Sequence, residues 1–196
     1  ETMLRQDKPR MQQLQAVQTL QLPDCFVAAG FVRNMVWDAL HDYPPTPLND
    51  VDVIYYDKQQ HLAPENIEKK LANTLPDVNW QVKNQAMMHH RNQDPAYQNS
   101  TDAMRYWPEK ETAVGVRLSN SNQLELAAPF GVQSLLEGKL THNPLRSKEV
   151  FKHVFLFQQK RVHQMQVCNN IRFKLLKKNI FLKGTITLFN NIHMYK

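Results

Sequence analysis

The run Asp50-Val51-Asp52-Val53-Ile54-Tyr55-Tyr56 constrains this chain more than any other. Its β-branched and aromatic residues read as a strand. Strand alternation puts Asp50 and Asp52 on one face with Cβ atoms roughly 6–7 Å apart, and Val51, Val53 and Tyr55 on the other. Two carboxylates this close repel, and in a half-buried sheet one of them is driven to hold a proton unless a cation neutralises the pair. The apolar face must pack on helices while the acid face meets an ion. An oxygen-only pair suits Mg²⁺, with substrate phosphates supplying the remaining ligands. Two carboxylates can equally hold a pair of ions about 3.5–4 Å apart.

The rest of the chain supplies elements to pack around such a strand. Met11, Leu14, Val17 and Leu20 recur at helical spacing within residues 8–21. Pro23-Asp24 breaks that helix, and Cys25 to Ala29 reads as a short buried strand ending at Gly30. Val32, Met35, Val36, Ala39 and Leu40 then line one face of a helix, with Arg33 and Trp37 together on another. Pro44, Pro45 and Pro47 make residues 41–49 a stiff loop. Pro64 suits the first turn of a helix lined by Ile67, Leu71 and Leu75. Val78, Trp80 and Val82 alternate as a strand, and residues 94–100 are polar and turn-rich. Ser100-Thr101-Asp102 caps a short helix ending near Trp107-Pro108. Residues 112–118 and 123–127 form a hairpin around Ser119-Asn120-Ser121-Asn122, and a short helix carries Leu135 and Leu136. This order predicts an α/β (α+β) domain with a mixed sheet flanked by helices.

Composition narrows the class. With 42% hydrophobic and 21% charged residues, the 196-residue chain is neither collagen-like nor wholly disordered. Cys25 and Cys168 form no Cys-x-x-Cys pair, which fits a reducing compartment and excludes a cysteine-based zinc site. The eight histidines show no metal-ligand spacing. No signal-peptide pattern and no apolar run of membrane-spanning length occurs, so a cytoplasmic protein with no membrane association is expected. A chain starting at Glu1 is expected to begin inside a longer reading frame. Charge divides the chain at about residue 150. Residues 1–150 hold 15 Lys+Arg against 18 Asp+Glu, whereas residues 151–196 hold 9 Lys+Arg and no acid. We therefore expect one domain over 1–150, followed by a helix from Val150 to Phe157 and a basic tail that could bind RNA through its phosphates. Beyond about Gln164 the residues are those of A+T-rich codons, as a shifted reading frame would produce.

The acid pair has a partner in the sequence. A strand ends and a helix starts at Gly30, where free N–H groups can receive a phosphate and the absent side chain lets it approach. Arg33 adds a charge in the first turn. Ala29-Gly30-Phe31-Val32-Arg33-Asn34 followed by Asp50-Val51-Asp52-Val53 resembles the nucleotidyltransferase signature of the DNA polymerase β superfamily. Its nearest familiar form is the Gly-Gly-x-Val-Arg-Asp…Asp-x-Asp of CCA-adding enzymes and bacterial poly(A) polymerases. A closer resemblance is to a small bacterial family of nucleotidyltransferase-like proteins. It runs from Arg10-Met11 through Leu22-Pro23-Asp24, Gly30 to His41, Thr46 to Tyr55, Val82 to Ala86, Trp107-Pro108-Glu109, Thr112 to Arg117 and Leu124 to Gly131.

That resemblance implies a polymerase-β-type palm that transfers a nucleoside monophosphate from an NTP to a hydroxyl acceptor, releasing pyrophosphate. Gly30, Phe31, Arg33, Asn34 and Arg117 would bind the nucleotide. Asp50 and Asp52 would hold Mg²⁺ in a two-ion site, with Glu125 as third carboxylate unless it is a solvated strand residue. Arg117 could instead pair with a carboxylate, Asn84 and Gln85 could read a base or satisfy buried backbone, and Trp37 could stack a base or fill the core. The chain departs from the pattern at Phe31, where the superfamily has Gly or Ser, and at Met87, where the closer family has Arg. It also lacks that family's tryptophan-rich C-terminus. These departures leave open a catalytically silent nucleotide- or partner-binding member of the fold, or a basic-tailed nucleic-acid-binding module.

Overall fold

Hydrophobic strands bracketed by amphipathic helices assemble here into one mixed sheet, seen in a computed structural model that describes residues 1–152. In chain order the elements are α1 (Thr2–Gln6), α2 (Lys8–Gln18), β1 (Phe26–Ala28), α3 (Gly30–Leu40), β2 (Val51–Tyr55), α4 (Pro64–Thr74), β3 (Trp80–Asn84), α5 (Gln85–Asn92), α6 (Ser100–Met104), β4 (Gly115–Leu118), β5 (Leu124–Ala127) and α7 (Gln133–Leu136). The sheet order is β3-β2-β1-β4-β5. β2 and β3 run parallel, which requires a crossover, and α4 provides it. The other three pairings are antiparallel.

The sheet's two faces have different partners. Val27, Val51, Val53, Tyr55, Trp80, Val82, Val116 and Leu118 join Leu14 and Val17 of α2, Phe31 and Trp37 of α3, and Ile67 and Leu71 of α4 in the main core. Phe26, Ala28, Ile54 and Ala127 on the opposite face pack with Met104 of α6 and Ala113 in a second, smaller core. Every residue of β2 is buried. The half-buried strand expected from alternation is thus covered on both sides, because α6 closes over Ile54. Gly115 permits the tight lateral fit: a Cβ there would lie 3.0 Å from Phe26 Cβ and 3.4 Å from Ala28 Cβ.

Helix starts and loops are set by side chains. Asp7 caps α2 by accepting from the Arg10 N–H, and Arg10 Nε donates to the Phe31 carbonyl at 2.9 Å, tying α2 to the first turn of α3. Asp38 anchors the proline loop by accepting from Thr46 N at 2.7 Å and Thr46 Oγ1 at 2.8 Å. This staple delivers the chain to Asp50. The helices α1 and α5 were not expected. α5 is capped by Asn84, whose side chain accepts from Ala86 N, so a strand residue doubles as a helix cap. The expected helix over 150–157 has its first residues in helical conformation; its remainder and the whole basic tail lie outside the described residues.

Two consequences can be measured. Ala29 joins β1 to α3 with φ 58° and ψ −123°, a region that favours glycine. Such strain costs about 1–3 kcal/mol, and a β-branched side chain deepens it. Ala29→Val should therefore lower the melting temperature by about 4–8 °C, at roughly 2–4 °C per kcal/mol for a chain this size. Ala29→Gly should melt within about 2 °C of wild type, since relief of strain offsets the added unfolded-state freedom; an equal fall in both variants would contradict the strain. Separately, burial pushes the Cys25 thiol up to about 12, with nearby Asp24 adding to the effect. Site-resolved mass spectrometry should find Cys25 unalkylated by iodoacetamide at neutral pH until the protein is unfolded.

Candidate active site

The antiparallel register of β1 on β2 sets Ala28 opposite Asp52. Two residues beyond Ala28 is Gly30, and two residues before Asp52 is Asp50, so the register carries both acids toward the first turn of α3. The sheet's edge there combines a carboxylate pair with a helix N-terminus. Asp52 is buried and Asp50 is partly exposed. Lys83, on the parallel neighbour β3, brings its Nζ to 3.8 Å from Asp52 Oδ1. That ammonium offsets part of the charge that burial would otherwise penalise. Lys83 did not stand out in the sequence: only the parallel pairing of β2 with β3 brings it to Asp52, although the inward Trp80 and Val82 already place it on the opposite face.

The cradle at Gly30 is lined with donors. A Cβ on Gly30 would lie 3.2 Å from Asn34 Nδ2 and 3.6 Å from Arg33 Nη2. Asn34 Oδ1 accepts from Arg33 Nε at 3.3 Å and Nη2 at 3.1 Å, so the amide nitrogen is the end turned toward Gly30. Arg33 is itself buried. Its Nη1 donates to Thr112 Oγ1 at 2.7 Å and lies 3.7 Å from Glu109 Oε2, and its guanidinium covers the Trp37 ring at 5.3 Å. Arg33 was expected to add a nucleotide-binding charge in the first turn of α3. It is held by Asn34, Thr112, Glu109 and Trp37, because a charge this deep requires acceptors around it, and its Nη2 is the end near Gly30.

The structure places three other expected residues as follows. Phe31 is 1% exposed and belongs to the main core, so only its backbone N–H can serve a ligand. Glu125 is on β5, three strand positions from β2, or roughly 14 Å across the sheet at about 4.8 Å per strand. Its Oε2 accepts from Arg117 Nε at 2.7 Å. Arg117, opposite Glu125 in register, also lies 3.8 Å from Asp24 and stacks on Phe26 at 4.6 Å. Arg117 and Glu125 thus form a surface clamp beside a groove of about 280 Å³ between α2 and the β4–β5 hairpin. The structure does not bring either to the acid pair. The cause is topological: the hairpin places β5 at the edge, with β4 and β1 intervening.

Asn84 and Trp37 both have structural roles. Asn84 satisfies buried backbone, accepting from Asp57 N at 3.0 Å and donating to the Asp57 carbonyl at 2.6 Å. Trp37 is core at 2% exposure. Among the described residues, no group of three or more His, Cys, Asp or Glu side chains could hold a metal ion. Asp50 and Asp52 offer hard oxygen donors, which fit an ion that takes its other ligands from water and phosphate. No described helix is long and apolar enough to cross a membrane.

Known proteins share the sequence profile and the fold. The sequence profile of a nucleotidyltransferase family matches residues 15–175. A solution structure described as revealing a CCA-adding enzyme head domain superimposes with a TM-score of 0.72 at 32% identity, covering 85% of this chain and 92% of that one. Two structures of tRNA-processing enzymes share the fold at lower similarity. One has a TM-score of 0.51 at 13% identity, the other 0.50 at 12%, and each match covers 80% of this chain. It takes in 43% and 45% of those longer chains. No match is found among functionally curated proteins. The profile match over most of the chain and the head-domain likeness show that this protein belongs to the nucleotidyltransferase family.

Proposed function

We propose that the protein transfers a nucleoside monophosphate from an NTP to a hydroxyl acceptor, using Mg²⁺ held by Asp50 and Asp52. The observation that carries this reading is the register of Asp52 on Ala28, which unites the acid pair with the donor-lined first turn of α3. The N–H groups of that turn and the Asn34 amide would hold the triphosphate in place. In the reaction the acceptor oxygen bonds to the α-phosphorus as the α–β bridging bond breaks. Pyrophosphate leaves, and the hydroxyl proton passes to solvent. Bound Mg²⁺ would stabilise charge on the phosphate oxygens and favour ionisation of the attacking hydroxyl. Asp50 and Asp52 orient the phosphates through their shared position, while Lys83 limits the repulsion between them before substrate arrives.

An RNA 3′-hydroxyl is the acceptor to test first. The description of the 32%-identical structure as a CCA-adding enzyme head domain supports it. So does the basic segment 151–196, whose 9 Lys+Arg stand without an acid. One observation favours a second reading. Lys83 already neutralises part of Asp52, and no third carboxylate joins the pair among the described residues, as suits a silent nucleotide-binding member of the fold.

Thermal melts with each NTP, with and without Mg²⁺, separate these readings. Ligand at 100 times its dissociation constant adds about 2.7 kcal/mol, a rise of roughly 5–11 °C here. The proposal expects a Mg²⁺-dependent rise that disappears in the Asp50→Asn/Asp52→Asn double variant. A rise that needs neither Mg²⁺ nor the aspartates favours the silent reading, and no rise with any NTP removes the nucleotide from the account.

A further inference from the structure

We infer that Glu109 and Thr112, which lie just ahead of β4, are positioning residues that aim the Asn34 amide into the phosphate cradle through Arg33. The inference rests on the nucleotide-binding reading of Gly30 and goes beyond it, since it assigns roles to residues outside the strand–Gly30–helix and Asp-x-Asp segments.

The chain of contacts has a direction. Glu109 is 1% exposed, and its Oε2 accepts from the Thr112 hydroxyl. Thr112 is the donor in that bond, which uses the one proton that a threonine hydroxyl has. The hydroxyl lone pairs are then left to accept from Arg33 Nη1 at 2.7 Å. With that corner of the guanidinium held, Arg33 Nε and Nη2 donate to Asn34 Oδ1 at 3.3 and 3.1 Å. An amide whose oxygen is engaged must present its nitrogen on the other side, and Asn34 Nδ2 lies 3.2 Å from the Cβ position of Gly30. Glu109 thus fixes each donor in turn and leaves the N–H₂ group against Gly30, where a Cβ would crowd it. The Trp37 ring beneath the guanidinium, at 5.3 Å, holds the plane of Arg33.

Burial makes the arrangement specific. Two charged groups within 3.7 Å in the interior cannot swing to solvent, so removing one link re-aims the rest.

The test measures binding of magnesium–ATP and of magnesium–tripolyphosphate by calorimetry, alongside the Asn34 side-chain amide signals in ¹⁵N-resolved NMR. Thr112→Val keeps the volume and removes the hydroxyl, and should weaken both probes about tenfold while the Asn34 signals lose their dispersion. Thr112→Ser should restore affinity and signals. Asn34→Ala should lose as much as Thr112→Val, and the double variant should be no weaker than Asn34→Ala alone. If Thr112→Val does not fold, the same cycle is read on Glu109→Gln, which keeps the shape and removes the acceptor-only group. Wild-type affinity in the hydroxyl-free variant, or losses that multiply in the double variant, overturns the positioning role alone. Wild-type protein that binds neither probe, with the Asn34 amide still ordered, overturns the cradle and the nucleotidyl-transfer reading together.

Discussion

The site depends on one backbone pairing, the short antiparallel ladder between β1 and β2. Only three residue pairs define it: Phe26 with Ile54, Val27 with Val53, and Ala28 with Asp52. A slip of one residue would turn Asp52 into the main core and Val53 out of it. The register is held from both faces, because Val27 and Val53 are wholly buried on one side and Phe26 and Ile54 nearly so on the other. Packing therefore specifies that Asp52 stands opposite Ala28, and the geometry of the candidate site follows from hydrophobic burial.

The same packing explains why the site contains so much internal pairing. Asp52 and Arg33 are both charged and both buried, a situation the interior tolerates only when each charge is matched. Asp52 meets Lys83, and Arg33 meets Glu109 and Thr112. Arg33 and Asn34 set their donors around Gly30, and the register of β1 on β2 carries Asp50 and Asp52 toward the same turn.

Much of this was legible in the residues. The strand ending at Gly30, the amphipathic helix to Leu40, the three-proline loop and the Asp-x-Asp strand all follow from local pattern, and each is observed. What local pattern could not supply was neighbourhood. Glu125 sits in an apolar-acid-apolar triplet that suits a metal strand, yet β5 is at the sheet edge and Arg117 occupies the acid. Lys83 looked like an ordinary polar strand residue until β3 was placed parallel to β2. Arg33 and Glu109, 76 positions apart, become partners only through tertiary contact. Helix α5 was missed for a different reason: Gln85 to Asn92 has little apolar periodicity, and its start depends on the Asn84 side chain.

The central claim is that the Asp50–Asp52 pair and the Gly30 cradle perform nucleotidyl transfer. Its most direct test is pyrophosphate release from each NTP with Mg²⁺ and an RNA pool, coupled to incorporation of labelled nucleoside monophosphate into the RNA. The account predicts Mg²⁺-dependent release matched by incorporation in the wild-type chain, both reduced at least about a hundredfold in Asp52→Asn, since losing a metal ligand removes several kcal/mol of transition-state stabilisation. Equal release by wild type and Asp52→Asn would contradict it and place the chemistry elsewhere on the molecule.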